Sequence, residues 1–209
     1  EALRDAYKYQ LLGDNVLGLL LPCGSSPQDV EAAQEVASEF DIKTKEVALD
    51  GIYDELTRCN PKATALAKAN LKPRLRMATI YYFANTLDYL VVGTGNRSEL
   101  AIGYFTKYGD GGVDILPLGT LLKTEIRKLA GALGVPRSII EKPPSAGLWE
   151  GQTDEGEIGV SYEELDGIIE SIENGKTGGI DEAKLIKVKK MMEYSEHKKC
   201  KIPVWSSGK

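Results

Sequence analysis

Residues 16–22 read VLGLLLP and residues 88–94 read DYLVVGT. Each is a short continuous apolar run, one ended by Pro22 and the other by Gly93. Runs with no polar alternation belong to strands covered on both faces, the setting of a parallel sheet in an α/β protein. Between them, Ser26-Pro27-Gln28-Asp29 is a helix start with Ser26 as N-cap and Pro27 at the first helical position. Val30, Ala33, Val36, Ala37 and Phe40 follow as its inward face. Residues 43–49, KTKEVAL, predict a second strand, and 71–87 a long helix with Pro73 in its first turn. The order β-α-β-α-β predicts an α/β fold built on a doubly wound, Rossmann-like parallel sheet.

Further along, GVDILPL at 112–118 predicts a shorter strand, followed by a helix from about Leu121 to Leu133 that Gly134 and Pro136 stop. Its expected apolar face is Leu122, Ile126, Leu129 and Leu133. Residues 141–159, EKPPSAGLWEGQTDEGEIG, carry two prolines and four glycines without periodicity, which predicts a long functional or mobile loop. Ser161-Tyr162-Glu163-Glu164 is a capping box that opens a helix with Leu165, Ile168, Ile169 and Ile172 at helical spacing, and a last helix runs from about Asp181 to Ser195. The expected organisation is one domain over 1–209, with a sheet core at 1–140, a lid loop at 141–159, and C-terminal helices and a tail at 160–209.

Composition narrows the function. The 209 residues are 42% hydrophobic and 27% charged, enough to bury a core. No apolar run approaches the roughly 18 residues of a membrane helix, and no signal-peptide pattern opens the chain, so we expect a cytoplasmic protein without membrane contact. A net charge of −5 argues against a broad nucleic-acid surface. Three distant cysteines, Cys23, Cys59 and Cys200, indicate neither a disulfide framework nor a zinc site.

Ligands of open parallel sheets bind beyond the carboxyl ends of the strands, which makes Thr94, Asn96 and Glu99 site candidates. As an isolated residue, Glu99 would be a first-turn glutamate favoured by the helix dipole; its GTGNRSE setting favours a metal ligand. Phe105 to Asp114 packs Lys107, Asp110, Asp114 and three glycines into ten residues, a density that suits close backbone approach to a polar ligand and equally a surface turn. Lys123 opens a helix where the macrodipole disfavours a cation. Free first-turn amides plus its ammonium would form a phosphate pocket, against the commoner case of a solvated lysine. Arg74 and Arg76, two apart on a helix, point in different directions and have different jobs. His197 and Lys198 sit where C-terminal cations are ordinarily favoured.

The segments LPCGSSPQD, NLKPRLRM, VVGTGNRSEL, GYFTKYGDGGVDILPLGTLLKTEIRKLA, KPPSAGLWEGQTDE and EHKKCKIP resemble, together, ammonia-dependent NAD⁺ synthetases of the N-type ATP pyrophosphatase superfamily. The likeness extends from about Val16 to Lys199, and GYFTKYGDGGVD is its most specific part. It implies ATP-dependent amidation of deamido-NAD⁺ by ammonia through an adenylated nicotinate carboxylate, with release of AMP and pyrophosphate. By motif, Thr94, Lys123 and Ser145 would contact ATP. Glu99 would ligate Mg²⁺ and, with Lys123, act in catalysis. Arg74, Lys107, Asp114, His197 and Lys198 would contact deamido-NAD⁺. The loop 141–159 would act as a lid that keeps water from the acyl-adenylate. The resemblance also implies a homodimer, with helix 71–87 at the contact.

The family's SGGxDS loop, which binds ATP phosphates and gives an aspartate to Mg²⁺, does not occur in these 209 residues. We therefore expect the chain to be part of a longer protein whose N-terminal portion carries it. Two alternatives are another N-type ATP pyrophosphatase, GMP synthetase-like or tRNA-modifying, and a non-catalytic dinucleotide-binding dimer.

Overall fold

The computed structural model describes residues 15–149 and 151–206. Strands β1 (Gly18–Leu20) and β2 (Thr44–Glu46) pair in parallel, with Leu19 opposite Lys45. Helix α1 (Pro27–Glu39) connects them, and the Ser26 hydroxyl accepts the Asp29 N–H at its start, as Ser-Pro predicted. A second parallel contact joins Val92 to Ile115. There the Gly93 N–H donates to the Ile115 carbonyl at 2.8 Å and the Asp114 N–H to the Val91 carbonyl at 2.9 Å.

The four predicted strand positions are thus present and parallel, but shorter than the apolar runs. Among the described residues the two pairs are not hydrogen-bonded to each other. Nor is each run covered on both faces: Val91 and Gly93 are buried while Leu90 and Ile115 are exposed.

The helices differ from expectation in several places, and the short helices Arg137–Ile140 and Glu196–Lys199 were not predicted. Helix α2 (Asp50–Cys59) was not predicted; its first turn starts from Leu49, which has no capping side chain. Helix α3 spans Ala65–Leu87, with the Thr64 hydroxyl accepting the Ala67 N–H, so Pro73 is internal rather than in the first turn. An internal proline forfeits one backbone bond and costs about 3 kcal/mol in a free helix, a cost that burial of the apolar Ala69, Pro73 and Ala84 along α3 works against. Helix α4 (Arg97–Ile102) is followed by α5 (Lys123–Ala132), where Ala130 rather than Leu129 faces inward: Ala130 is buried and Leu129 is 37% exposed.

Segment 141–159 is not a loop throughout. After α6 (Arg137–Ile140) it contains α7 (Asp154–Ile158), capped by the Thr153 hydroxyl and ended at Gly159 with φ 74°. Five residues are too few to show periodicity, so only the cap and the terminal glycine could have signalled it. Ile158 and Asp154 are buried, which anchors the second half of the segment in the core. Helices α8 (Tyr162–Glu173) and α9 (Glu182–Tyr194) follow as predicted, the first with its complete Ser161/Glu164 capping box, and α10 (Glu196–Lys199) closes the helical part.

The largest apolar cluster joins α8 and α9 to α4 and α5 through Ile102, Leu122, Leu165, Ile169 and Val188. The C-terminal helices are therefore packed directly behind the elements that carry Glu99 and Lys123.

Candidate active site

Asn96 ends the Val91–Thr94 segment and caps α4. Its side chain accepts the Glu99 N–H at 3.0 Å, and Glu99 Oε2 accepts the Asn96 N–H at 3.2 Å. This reciprocal cap leaves Glu99 Oε1 to accept the Lys123 ammonium at 3.0 Å. The two side chains are 18% and 22% exposed. Partial desolvation strengthens the pair relative to a surface ion pair and makes removal of either partner costly. The Lys123 ammonium also lies 5.1 Å from the ring centre of Tyr162.

Three amides at the start of α5, where a phosphate pocket is expected, are taken up by side chains. The Leu122 N–H donates to Glu125 Oε2, the Lys123 N–H to Ser98 Oγ and the Thr124 N–H to Asp166 Oδ2. Side chains brought from α4 and α8 occupy them, which neighbouring sequence does not reveal. Lys123 is balanced by the Glu99 carboxylate in this state.

Thr94 and Glu99 line a cavity of about 350 Å³, together with Phe105, Asp110, Leu116 and Lys198. Lys198 donates to the carbonyls of Gly103 at 2.7 Å and Phe105 at 2.8 Å, and burial holds its ammonium below the usual lysine range.

On the same side, Arg74 donates to the Lys107 carbonyl at 3.3 Å and Lys107 to the His197 carbonyl at 2.5 Å. Four of the five residues expected to contact the dinucleotide, Arg74, Lys107, His197 and Lys198, are thereby gathered from α3, the glycine-rich segment and α10. Arg76 points elsewhere, donating to the Leu21 carbonyl at 3.0 Å, so the two arginines do have separate jobs.

The remaining expected residues are placed differently. Asp114 accepts the Tyr81 hydroxyl at 3.0 Å and the Val91 N–H at 2.7 Å, which fastens α3 to the second strand pair. Ser145 is exposed and accepts the Gly147 N–H at 3.1 Å.

Several polar residues were not legible beforehand. Buried Lys72 donates to the Leu148 carbonyl at 2.8 Å and so tethers the 141–149 segment to α3. Asp154 accepts the Tyr162 hydroxyl at 3.0 Å through one carboxylate oxygen, while the other is buried without a partner among the described residues. Burial pushes the Asp154 carboxyl up and the Tyr104 and Tyr162 hydroxyls far up. The one signal in the sequence was the α8 capping box, whose phase puts Tyr162 and Asp166 one turn apart.

A carboxyl raised in the fold costs stability once pH rises through its folded value, and that cost vanishes below its unfolded value. Asp154→Asn is therefore expected to raise stability at pH 8 by about 1 kcal/mol, with the gain shrinking towards pH 4. Thermal melts across that range check it; equal gains at both ends would contradict it.

The NAD synthase family profile matches residues 6–202. The NH(3)-dependent NAD(+) synthetase of Carboxydothermus hydrogenoformans is 51% identical over 193 residues, covering 90% of this chain and 76% of that protein. The enzyme of the same name from Archaeoglobus fulgidus is 50% identical, covering 91% and 77%. Among solved structures, NMN synthetase from Francisella tularensis superposes with a TM-score of 0.89 at 34% identity, over 99% of this chain and 84% of that one. An NH3-dependent NAD synthetase from Campylobacter jejuni gives 0.84 at 25%, over 98% and 84%. A core of parallel strands and helices, an ion pair at a strand end and a match across nearly the whole chain converge: the chain belongs to the NAD synthase family.

Proposed function

We propose that the protein is a C–N ligase that converts deamido-NAD⁺ to NAD⁺ with ATP and ammonia. The observation that carries this reading is the Glu99–Lys123 pair, with Glu99 and Lys198 lining one cavity and Arg74 and Lys107 chained to the carbonyl of His197, the neighbour of Lys198. The nicotinate carboxylate attacks the α-phosphorus of ATP and pyrophosphate leaves; ammonia then attacks the acyl carbon and AMP leaves. Lys123, Thr94 and Ser145 face ATP in this reading, and the basic group with Asp114 faces deamido-NAD⁺. The identities of about one half to curated ammonia-dependent synthetases favour it over a GMP synthetase-like enzyme, a tRNA-modifying one or a non-catalytic dimer.

Mg²⁺ fits the donor chemistry. Among the described residues no three acidic, histidine or cysteine side chains cluster as a cation cage, and Mg²⁺ typically takes one or two carboxylates plus substrate phosphates. Glu99 is the carboxylate that would hold it, once Lys123 turns from Glu99 towards the phosphates. When bound, the ion neutralises charge on the leaving pyrophosphate. Glu99→Gln is expected to raise the magnesium concentration for half-maximal rate about tenfold without loss of fold; an unchanged magnesium titration would remove Glu99 from this role.

The organisation proposed is a single domain in which the 141–159 segment serves as a lid over the nucleotide, tethered to α3 by Lys72 through the Leu148 carbonyl. A homodimer is supported by Tyr82, Leu87, Tyr89 and Leu90, exposed at the end of α3, and sedimentation at micromolar concentration tests it. No described helix is long and apolar enough to cross a membrane. The unpaired thiols Cys59 and Cys200 are exposed, which suits the reducing cytoplasm we propose as its location.

The decisive assay gives the full-length native protein ATP, Mg²⁺ and ammonia with deamido-NAD⁺ in one arm and nicotinate mononucleotide in the other, and follows AMP and the amide product. Faster turnover of deamido-NAD⁺ is expected. Preference for the mononucleotide would shift the reading to the activity named for the Francisella protein, and AMP in neither arm would end it.

A further inference from the structure

Helix α8 reaches the ion pair from behind with two residues one turn apart. Asp166 is 3% exposed, and its donors among the described residues are the buried Ser98 hydroxyl and the Thr124 N–H at 2.9 Å. Ser98 Oγ in turn accepts the Lys123 N–H at 2.9 Å. Ser98 precedes Glu99 and Lys123 precedes Thr124, so one carboxylate ties together the two stretches of backbone that carry the ion pair. A buried charge is costly, and charge-assisted bonds to two donors beside a helix N-terminus offset that cost better than neutral ones would. Four residues earlier on the same face, Tyr162 is fully buried, its ring beneath the Lys123 ammonium and its hydroxyl held by Asp154.

We infer that α8 is the positioning element of the phosphate-side pair, with Asp166 setting the Lys123 backbone through Ser98 and Tyr162 setting its ammonium. This assignment rests on the proposed role of Glu99 and Lys123. Neither Asp166 nor Tyr162 touches substrate; both act through Lys123. In the sequence Tyr162 stands inside the capping box of a C-terminal helix, and no local pattern singles out Asp166.

The test compares Asp166→Asn, Ser98→Ala, Tyr162→Leu and Tyr162→Phe in the full-length native protein. Glu173→Gln serves as control, because the Glu173–Arg97 ion pair also links α8 to α4 but lies apart from Lys123. Steady-state kinetics are read alongside the rate at which an amine-reactive reagent labels Lys123, followed by mass spectrometry. Asp166→Asn and Ser98→Ala are expected to lower kcat about 10- to 100-fold, to leave KM for deamido-NAD⁺ within about twofold, and to speed Lys123 labelling. Tyr162→Leu speeds labelling; Tyr162→Phe, which keeps the ring, and Glu173→Gln keep the wild-type rate.

Lowered melting temperatures with wild-type kcat and labelling in all three disruptive variants would overturn the inference and leave Asp166 and Tyr162 as packing residues. If Asp166→Asn does not fold, Ser98→Ala and Tyr162→Leu decide. If the wild-type protein makes no AMP, the functional reading fails, while the labelling comparison still decides whether α8 positions Lys123.

Discussion

Lys123→Ala is expected to lower ATP turnover by about 10²- to 10³-fold, the usual effect of deleting one preorganised group that meets charge developing in a transition state. Two causes act together. The ammonium is lost from the phosphate side of the site, and Glu99, only 18% exposed, keeps a carboxylate without its partner. The second effect costs roughly 1–3 kcal/mol of stability, so thermal melts must accompany the kinetics. Release of AMP and pyrophosphate at saturating deamido-NAD⁺ measures the first. A rate within threefold of wild type would show that Lys123 is only the counter-ion of Glu99.

Gly103→Ala is expected to be the most destabilising single-methyl change near the site. Gly103 ends α4 with φ 67°, a left-handed conformation that costs a residue with a side chain roughly 1–2 kcal/mol. A Cβ there would lie 2.1 Å from Ser195 Cβ and 2.6 Å from its Oγ, and Ser195 is itself buried. Overpacking of this kind adds about 1–3 kcal/mol, and for a chain of this size the sum lowers the melting temperature by about 4–20 °C. Adding Ser195→Gly should recover the overpacking part but not the backbone part. A melt of Gly103→Ala within 2 °C of wild type would contradict the packing described here. Activity should fall in step, because the Gly103 carbonyl is one of the two that hold Lys198.

Features set by contacts between near neighbours in the chain are legible in the sequence, and those set by distant contacts are not. Ser26-Pro27 and the Ser161/Glu164 box were read correctly because a cap is a contact across three residues, visible in the string itself. Pro73 was misread because proline at a helix start and proline tolerated inside a buried helix look alike locally; only burial along α3 separates them. Helix α7 escaped because five residues do not complete enough turns to show a period. Leu129 and Ala130 exchanged places because the sequence ranks hydrophobicity, whereas the neighbours that pack on α5 decide which stripe is covered.

The same division holds for the site. GTGNRSE and GYFTKYGDGGVD marked Thr94, Glu99 and Lys107, and the strand-end rule placed the first two beside a cavity that the structure contains. What no local pattern could supply was who meets whom: that Lys123 turns to Glu99 from 24 residues away, that Lys107 reaches the His197 carbonyl, and that Asp166 takes the Thr124 amide.

By itself, the sequence determined the α/β class, the parallel strand positions, the starts of α1, α5, α8 and α9, and the family, since each depends on periodicity, caps or contiguous motifs. Only the tertiary structure decided the burial that raises the Asp154 carboxyl, the side-chain partners of the amides at the start of α5 and the contacts of α8 with the ion pair. Those depend on desolvation and on contacts between residues far apart in the chain, and neither exists until the elements have packed.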